Sequence, residues 1–119
     1  MADHYELGKK GEEIACNFLT DKGYRILRRN YRFQKAEIDI VAQINDLLVV
    51  VEVKTRTSAY FGNPQDFVNE KKIKLLVQAI NKYVEENDID LEIRFDIIAI
   101  VSEKKGFSIE HIEDAFLHF

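Results

Sequence analysis

The sequence has few of the cysteines that cross-link small secreted proteins, and few of the prolines and glycines that divide a chain into flexible segments. Among 119 residues there are one cysteine, one proline, five glycines and no tryptophan. The single cysteine, Cys16, excludes an internal disulfide and a cysteine-rich zinc site, and nothing indicates a paired nucleophile, so we interpret it as a packing residue. Apolar runs such as Leu47 to Val51 are too short to span a bilayer. The first residues also lack a signal-peptide pattern, and we expect a soluble cytoplasmic protein with no membrane partner.

What the chain does contain is typical of one compact domain. Hydrophobic residues make up 46% and charged residues 32% of the sequence, which excludes collagen-like, low-complexity and largely disordered classes. A chain of 119 residues has room for one core. We therefore expect a single domain over residues 1–119.

The charge is unevenly distributed along the chain. Residues 1–74 carry 13 basic and 11 acidic residues, a net +2, whereas residues 75–119 carry 4 and 10, a net −6. The first part contains a basic stretch interleaved with aromatic residues, whose cations are Lys22, Arg25, Arg28, Arg29, Arg32 and Lys35. This stretch predicts a surface that contacts phosphates, with Arg28, Arg29 and Arg32 binding nucleic acid. The alternative is a solvated basic strand that protects a sheet edge from pairing with other chains.

Hydrophobic periodicity and turn residues predict seven elements. In chain order they are a helix over 6–22, strands over 24–33, 37–44 and 47–56, a helix over 66–86, a strand over 92–101 and a returning strand over 107–112. Gly23 closes the first helix, and Gly62-Asn63-Pro64 breaks the chain before the second. The order αβββαββ predicts an α/β fold in which helices flank a mixed sheet.

Strand alternation brings two acidic residues together. In the third strand Leu47, Val49, Val51 and Val53 form one apolar face, which leaves Glu52, Lys54 and Arg56 on the other. In the second strand Ile38, Ile40, Ala42 and Ile44 form the apolar face, and Glu37 and Asp39 lie opposite. If Asn45-Asp46 is a two-residue hairpin turn, the numbers of opposed residues sum to 91. Asp39 then faces Glu52 directly.

An opposed pair of carboxylates needs a cation. At about 5 Å two carboxylates repel by roughly 3 kcal/mol at an effective dielectric constant near 20. A hard divalent cation, Mg²⁺ or Mn²⁺, between Asp39 and Glu52 would remove this repulsion. Lys54 on the same face would then neutralise charge and orient an attacking water. The alternative is that Lys54 or Arg56 pairs with both acids on an exposed sheet face.

The two helices contribute one further acid and one unusual lysine. On the first helix Glu12 lies about 100° from the centre of the apolar stripe, at its rim, whereas Glu13 faces water. On the second helix Lys72 falls within the stripe formed by Val68, Leu76, Ala79 and Tyr83. A lysine at such a position either snorkels to solvent or meets an anion.

These residues resemble a known group of proteins. Asp39, a gap of 12 residues and Glu52-Val53-Lys54 match the Asp…(Asp/Glu)-x-Lys signature of restriction-endonuclease-like nucleases, and Gly8-x-x-Gly11-Glu12 is similar to the archaeal Holliday-junction resolvase pattern. The closer resemblance, over nearly the whole chain, is to the YraN-type family of small bacterial proteins. It is carried by Gly11-Glu12, Gly23-Tyr24, Arg29-Asn30-Tyr31-Arg32, Glu37-Ile38-Asp39, Val51-Glu52-Val53-Lys54-Thr55-Arg56, Arg94-Phe95-Asp96, His111 and Ala115-Phe116.

The resemblance implies a fold, a cofactor and a reaction. The fold is a restriction-endonuclease-like αβββαβ core with a short C-terminal hairpin strand, and the reaction is metal-dependent phosphodiester hydrolysis. Glu12, Asp39, Glu52 and Lys54 carry over as site residues. This sequence has Ala36 where the family usually has glycine, and Ile38 where many nucleases have proline. Neither departure removes a ligand.

We accordingly expect a Mg²⁺- or Mn²⁺-dependent endonuclease that acts on DNA, branched or otherwise structured. Asp39, Glu52 and the Val53 carbonyl would hold the metal, Lys54 would position water and Glu12 would be an accessory acid. Lys72 or Arg56 would meet phosphate.

Two other classes and two finer features stay open at this stage. The rival classes are a nucleic-acid-binding or assembly module without turnover and a protein adaptor that uses the acidic C-terminal third. A homodimer follows only by analogy with the resolvases. Asp96 either pairs with Arg94 on its own strand face or borders the site beside Glu52.

Overall fold

The computed structural model describes residues 4–57 and 68–116. The elements are α1 (His4–Asp21), β1 (Arg25–Phe33), β2 (Ala36–Ile44), β3 (Leu47–Arg56), α2 (Glu70–Glu86), β4 (Glu92–Glu103) and β5 (Gly106–Ile112). Their order is the predicted one. Helix α2 begins at Glu70, later than the predicted residue 66, after Asn69 caps it by accepting the backbone N–H of Lys72. The predicted break at Gly62-Asn63-Pro64 lies outside the described residues.

The five strands form one mixed sheet in the order β1-β2-β3-β4-β5. Strands β3 and β4 are parallel, and the other neighbouring pairs are antiparallel. The parallel pair requires a crossover, which contains α2, whereas tight turns connect the antiparallel pairs. This mixed α/β architecture confirms the predicted fold class and is consistent with a restriction-endonuclease-like fold.

Each face of the sheet is covered by one helix. Helix α1 buries Ala15, Cys16 and Leu19 against one face, in what we call the α1 cluster. Helix α2 buries residues that include Leu76 and Ile80 against the other face, in the α2 cluster. The burial of Cys16 confirms its interpretation as a packing residue. Neither helix, as far as the structure describes the chain, is long and apolar enough to cross a membrane.

The turn between β2 and β3 has the predicted form. Asn45 adopts a left-handed φ of 52°, a conformation that asparagine tolerates. The paired residues run from Ile44 with Leu47 to Ile40 with Val51, and their numbers sum to 91 as predicted. The regular pairing ends there, one step before Asp39.

The apolar side chains of β2 do not all lie on one face, so that prediction was wrong. Ile40 is buried in the α1 cluster, whereas Ile38 is buried in the α2 cluster. The neighbouring strand supplies the reason, because Asn30 has a left-handed φ of 52° between the pairs Arg29–Ile40 and Tyr31–Ile38. A left-handed residue interrupts the two-residue alternation of its own strand, so Arg29 and Tyr31 turn to different faces. Directly opposed residues of paired strands share a face, so Ile38 lies with Tyr31 in the α2 cluster and Ile40 does not. The irregularity lies beside Asp39.

Candidate active site

A cleft of about 240 Å³ has walls from α1, β2, β3 and α2. Seven residues predicted from the sequence to act in the site line it: Glu12, Asp39, Glu52, Val53, Lys54, Arg56 and Lys72. A water molecule in the liquid takes about 30 Å³, so the cleft has room for several waters or for a phosphate group. The structure thus brings the predicted acids and three predicted cations into one concave site.

The sequence of β3 changes halfway along the strand, and this change places the polar residues of the cleft. Its first half is apolar on both faces and is covered by the α1 and α2 clusters. Beyond Val51 the alternating positions hold Glu52, Lys54 and Arg56, which therefore share a face. The strand carries these polar side chains from the core into the cleft.

Asp39 reaches the cleft through a hydrogen bond to the backbone of β3. The N–H of Val53 donates to Asp39 Oδ2 at 2.8 Å, and the Asp39 carboxyl lies close enough to that of Glu52 to interact with it strongly. Burial and the adjacent Glu52 raise the pKa of Asp39 to about 9, although the Val53 N–H opposes the shift. Asp39 therefore holds a proton to much higher pH than an exposed aspartate does, because a second carboxyl lies beside it in a buried position.

Glu52 has a cation beside it. Its side chain is 3% exposed, and Lys72 Nζ lies 2.8 Å from its Oε2. Lys72 thus meets an anion, which was one of the two alternatives predicted for it. The alternative partner that the sequence analysis named for Glu52 was Lys54 or Arg56, whereas the cation beside Glu52 in the structure is Lys72. Burial disfavours the charged lysine, but the Glu52 and Asp39 carboxyls outweigh that effect and raise the pKa of Lys72.

The Lys72–Glu52 contact is ionic without being a good hydrogen bond. Within residues 4–57 and 68–116, no donor makes a hydrogen bond to the buried Glu52 Oε2 in favourable geometry. A buried carboxylate oxygen that lacks a well-oriented donor is costly, even with an ammonium beside it.

The donor set fits a hard divalent cation. Glu52 Oε2 and the adjacent Asp39 carboxyl offer oxygen ligands, the type that Mg²⁺ and Mn²⁺ prefer. No three His, Cys, Asp or Glu side chains in the part of the chain that the structure describes are grouped as a complete metal site. A cation here would take one or two carboxylates and fill its shell with a backbone carbonyl, water and substrate oxygen, as Mg²⁺ commonly does.

Helix α1 approaches β3 closely because of one glycine. A Cβ atom placed on Gly11 would overlap with the side-chain oxygen of Thr55. The absence of a side chain at Gly11 lets the helix lie against the strand, and Glu12, the next residue, then lines the cleft. Glu12 is partly buried and Glu13 is exposed, as the helical geometry predicted.

Glu12 has neighbours that the sequence did not assign to the site. Burial raises the pKa of Glu12, and the carboxylates of Glu37 and Glu52 add to that effect. A hydrogen bond with the Asn30 side chain and the charge of Arg29 oppose it. Glu37 and Asn30 are therefore residues near the site that the sequence analysis did not assign to it. Both lie in sequence strings that carry the family resemblance, and this membership could have identified them.

The arginines of the basic stretch lie on β1, an edge strand of the sheet. Arg29 acts electrostatically on Glu12 and is thus near the cleft. Arg28 lies over the ring of Tyr31, with its guanidinium carbon 5.4 Å from the ring centre. The position of β1 suits both alternatives that the sequence left open, phosphate contact and edge protection.

Two further arginines of the predicted set have partners nearby. Arg32 forms an exposed ion pair with Glu37, the residue opposite it on β2, at 2.6 Å. Arg56 lines the cleft and donates a hydrogen bond to the backbone carbonyl of Thr55 at 2.8 Å. Arg32 thus lies beside Glu37, which is near the cleft, and Arg56 forms part of the cleft wall.

Asp96, whose role the sequence left open, belongs to a separate buried network. Its carboxylate accepts two hydrogen bonds from Arg94, both at 2.8 Å, which confirms the predicted pair. His111 Nε2 lies 2.8 Å from the same carboxylate, and Lys22 Nζ lies 2.9 Å from His111 Nδ1. The His111 ring therefore lies between the Asp96 carboxylate and the Lys22 ammonium.

The same network keeps Asp96 charged. Burial would raise its pKa, but hydrogen bonds from His111, Arg94 and the Asp114 backbone N–H hold the pKa of Asp96 below its ordinary value. Asp96 pairs with Val51 of the α1 cluster, whereas Glu52, the next residue of β3, faces Lys72 of α2. The two acids therefore lie on opposite faces of the sheet, and Asp96 does not border the cleft.

Comparison with known proteins gives one family. The family model described as "Uncharacterised protein family UPF0102" matches residues 11–100. A UPF0102 protein of Flavobacterium psychrophilum is 63% identical over 119 residues, and one of Christiangramia forsetii is 59% identical over 119 residues; each alignment covers 100% of both chains. A UPF0102 protein of Phocaeicola vulgatus is 51% identical over 116 residues, which is 98% of this chain and 96% of the relative.

Proposed function

The chain belongs to the UPF0102 or YraN family, and from the cleft in which it gathers three acids and three cations we propose that it is a Mg²⁺- or Mn²⁺-dependent endonuclease. The proposed substrate is DNA, branched or otherwise structured, and the proposed location is the cytoplasm. A homodimer belongs to the proposal by analogy with resolvases.

The observation that carries the proposal is the pairing of Asp39 with Glu52 beside Val53. A buried Asp39 whose pKa is raised by a second carboxyl makes the fold less stable at high pH, and a purely structural sheet gains nothing from such a pair. The same pair suits a divalent cation because it offers hard oxygen ligands and a low local dielectric constant. Shifted acids in a cleft are typical of functional sites.

The roles of the residues follow from their places in the cleft. Asp39, Glu52 and the Val53 carbonyl would hold the cation. When bound, such a cation neutralises phosphate charge and lowers the pKa of water, which supplies the nucleophile. Lys54 lies on the same strand face as Glu52 and would stabilise the charge that develops on the phosphate.

The remaining polar residues assist in this scheme. Glu12, whose pKa is raised, would act as an accessory acid that takes or gives a proton near the reacting phosphate. Arg56 and Lys72 line the same cleft and would contact flanking phosphates. Arg28, Arg29 and Arg32 on the edge strand β1 would extend the contact along the nucleic acid.

The second candidate is a nucleic-acid-binding or assembly module without turnover. The contact between Lys72 and Glu52 favours it, because a lysine that permanently neutralises Glu52 would make a divalent cation unnecessary. The basic edge strand would serve binding equally well in both functions.

A cleavage assay separates the two candidates. Linear, flapped and four-way DNA substrates are incubated with Mg²⁺ or Mn²⁺ and the wild-type protein or its Asp39→Asn variant. We expect cleavage of at least one structured substrate by the wild type, and none by the variant. Binding without cleavage for both proteins, on every substrate including single-stranded DNA and RNA, would support the binding module instead.

A further inference from the structure

Lys72 is held at its backbone by the cap of α2, and its side chain extends from there to Glu52. Its N–H is held by the side chain of Asn69 at 2.8 Å, in the first turn of α2. Its side chain is 39% exposed and ends 2.8 Å from Glu52 Oε2, to which it makes no well-oriented hydrogen bond. Four methylene groups give the ammonium a long reach from one backbone position.

A divalent cation and Lys72 would need the same oxygen. Glu52 is 3% exposed, and Lys72 Nζ stands at its buried Oε2. A metal that binds this oxygen lies about 2 Å from it, so an ammonium at 2.8 Å would face a like charge at short range in a partly buried site.

From this geometry we propose that Lys72 is an internal counter-cation of Glu52 that a divalent cation displaces when it binds. The inference rests on the proposed function, because it takes the metal site as given. While the site holds no metal, Lys72 neutralises Glu52; once metal binds, the lysine swings towards the open side of the cleft.

The displaced lysine has a consequence for nucleic acid. An ammonium released from Glu52 is available to a phosphate in the same cleft, since Lys72 and Lys54 both line it. Metal binding therefore strengthens phosphate binding, and by reciprocity phosphate strengthens metal binding. Lys72 links the two events.

The test is Mn²⁺ affinity, measured by electron paramagnetic resonance of free Mn²⁺ at pH 7. The variants are Lys72→Met, which keeps side-chain length without charge, and Lys74→Met, a matched control on the same helix whose partner is the exposed Glu70. Lys72→Met removes the ammonium that competes with the metal for the buried Glu52 carboxylate. We therefore expect this variant to bind Mn²⁺ more tightly than the wild type, by about tenfold or more. Lys74→Met should match the wild type, and Lys72→Met combined with Asp39→Asn should lose the gain.

A gain in affinity cannot arise from a merely damaged fold, and Lys72→Gln repeats the test with a polar side chain. Thermal melting supplies a second readout: Lys72→Met should melt lower than the wild type without Mn²⁺ and recover with it. Mn²⁺ affinity that is unchanged or weaker in Lys72→Met, with clear binding by the wild type, would overturn the inference and leave the proposed metal site standing. Absence of Mn²⁺ binding in all variants would overturn both.

Discussion

The backbone N–H of Val53 donates to Asp39 Oδ2 at 2.8 Å, just beyond Ile40 and Val51, the last regular pair of β2 and β3. The carboxyl thus takes the place of a backbone partner at the point where the two strands stop pairing. This hydrogen bond holds the Asp39 carboxyl beside Glu52, the residue before Val53 on β3. The position of the acid pair is therefore set by the contact between β2 and β3.

Replacing Asp39 should change how stability depends on pH. The folded protein raises the pKa of Asp39 to about 9, whereas the ordinary value is 3.8, so the folded state holds a proton that the unfolded chain releases. The free energy of unfolding of the wild type should therefore fall as the pH rises from about 4 towards 9. Asp39→Asn keeps the acceptor for Val53 and should remove this fall, as seen by thermal melting between pH 5 and 9 without metal.

Asp46→Asn, in the exposed β2–β3 turn, is the control and should keep the wild-type pH dependence. If the site binds metal as proposed, Mg²⁺ or Mn²⁺ should raise the melting temperature of the wild type but not that of Asp39→Asn. A variant that melts several degrees lower at every pH would make Asp39 a structural ion-pair partner.

The contact of α1 with β3 predicts opposite effects at two glycines of one helix. Gly11→Ala places a Cβ against the Thr55 side chain and should lower the free energy of unfolding by about 1–3 kcal/mol, as overpacking does. Gly8→Ala meets nothing within 4 Å and should be neutral or stabilising by up to about 1 kcal/mol, since alanine favours a helix. Denaturant titration measures both.

Thr55→Ala in the Gly11→Ala background should recover part of the loss, because it removes the atom that the new Cβ would overlap. Equal stability of the two glycine variants would mean that α1 can shift away from β3 without cost.

Lys54 should separate binding from chemistry. On the proposed function it acts on the charge that develops during hydrolysis and does not hold the metal, so Lys54→Ala should keep DNA and Mn²⁺ binding within a few-fold. Cleavage should fall by about 10² or more, the scale seen when a positioned transition-state group is lost. Lys104→Ala, in the exposed turn between β4 and β5, is the control, and single-turnover cleavage is the measurement. Equal loss of binding and cleavage would place Lys54 among the binding residues.

The basic edge strand should show itself in the salt dependence of DNA binding. Arg28→Ala with Arg32→Ala should weaken binding at low salt and reduce the slope of log affinity against log salt by up to about two phosphate contacts. The double variant Lys104→Ala/Lys105→Ala, at the far side of the sheet, should leave the slope unchanged. An unchanged slope in the arginine variant, together with increased self-association in sedimentation, would assign the arginines to edge protection.

Much of the site was predictable because it depends on local rules. The Asn45-Asp46 turn fixes the register of β2 with β3, and this register brings Asp39 close to Glu52. The helical stripe singled out Lys72, and the structure places that lysine at Glu52. Turn chemistry and periodicity act over a few residues and can be applied to one sequence.

The unpredicted parts depend on departures from those rules and on docking between distant elements. The left-handed conformation of Asn30 turns Ile38 away from the face of Ile40, which strict alternation cannot foresee. The contact of Asn30 with Glu12 exists only because α1 lies close against the sheet. Likewise, His111 reaches Asp96 through the pairing of β4 with β5.

The parallel pairing of β3 with β4 also has a consequence for how the chain folds. Hairpins join β1, β2 and β3 through short turns, so these strands can assemble early, whereas Leu47 of β3 finds its partner Glu92 only 45 positions later. Closing that long loop is the slow step that non-local pairing imposes. Until α2 and β4 dock, the apolar central strand keeps an unpaired edge, and during synthesis on the ribosome this edge is where the nascent chain is most open to aggregation.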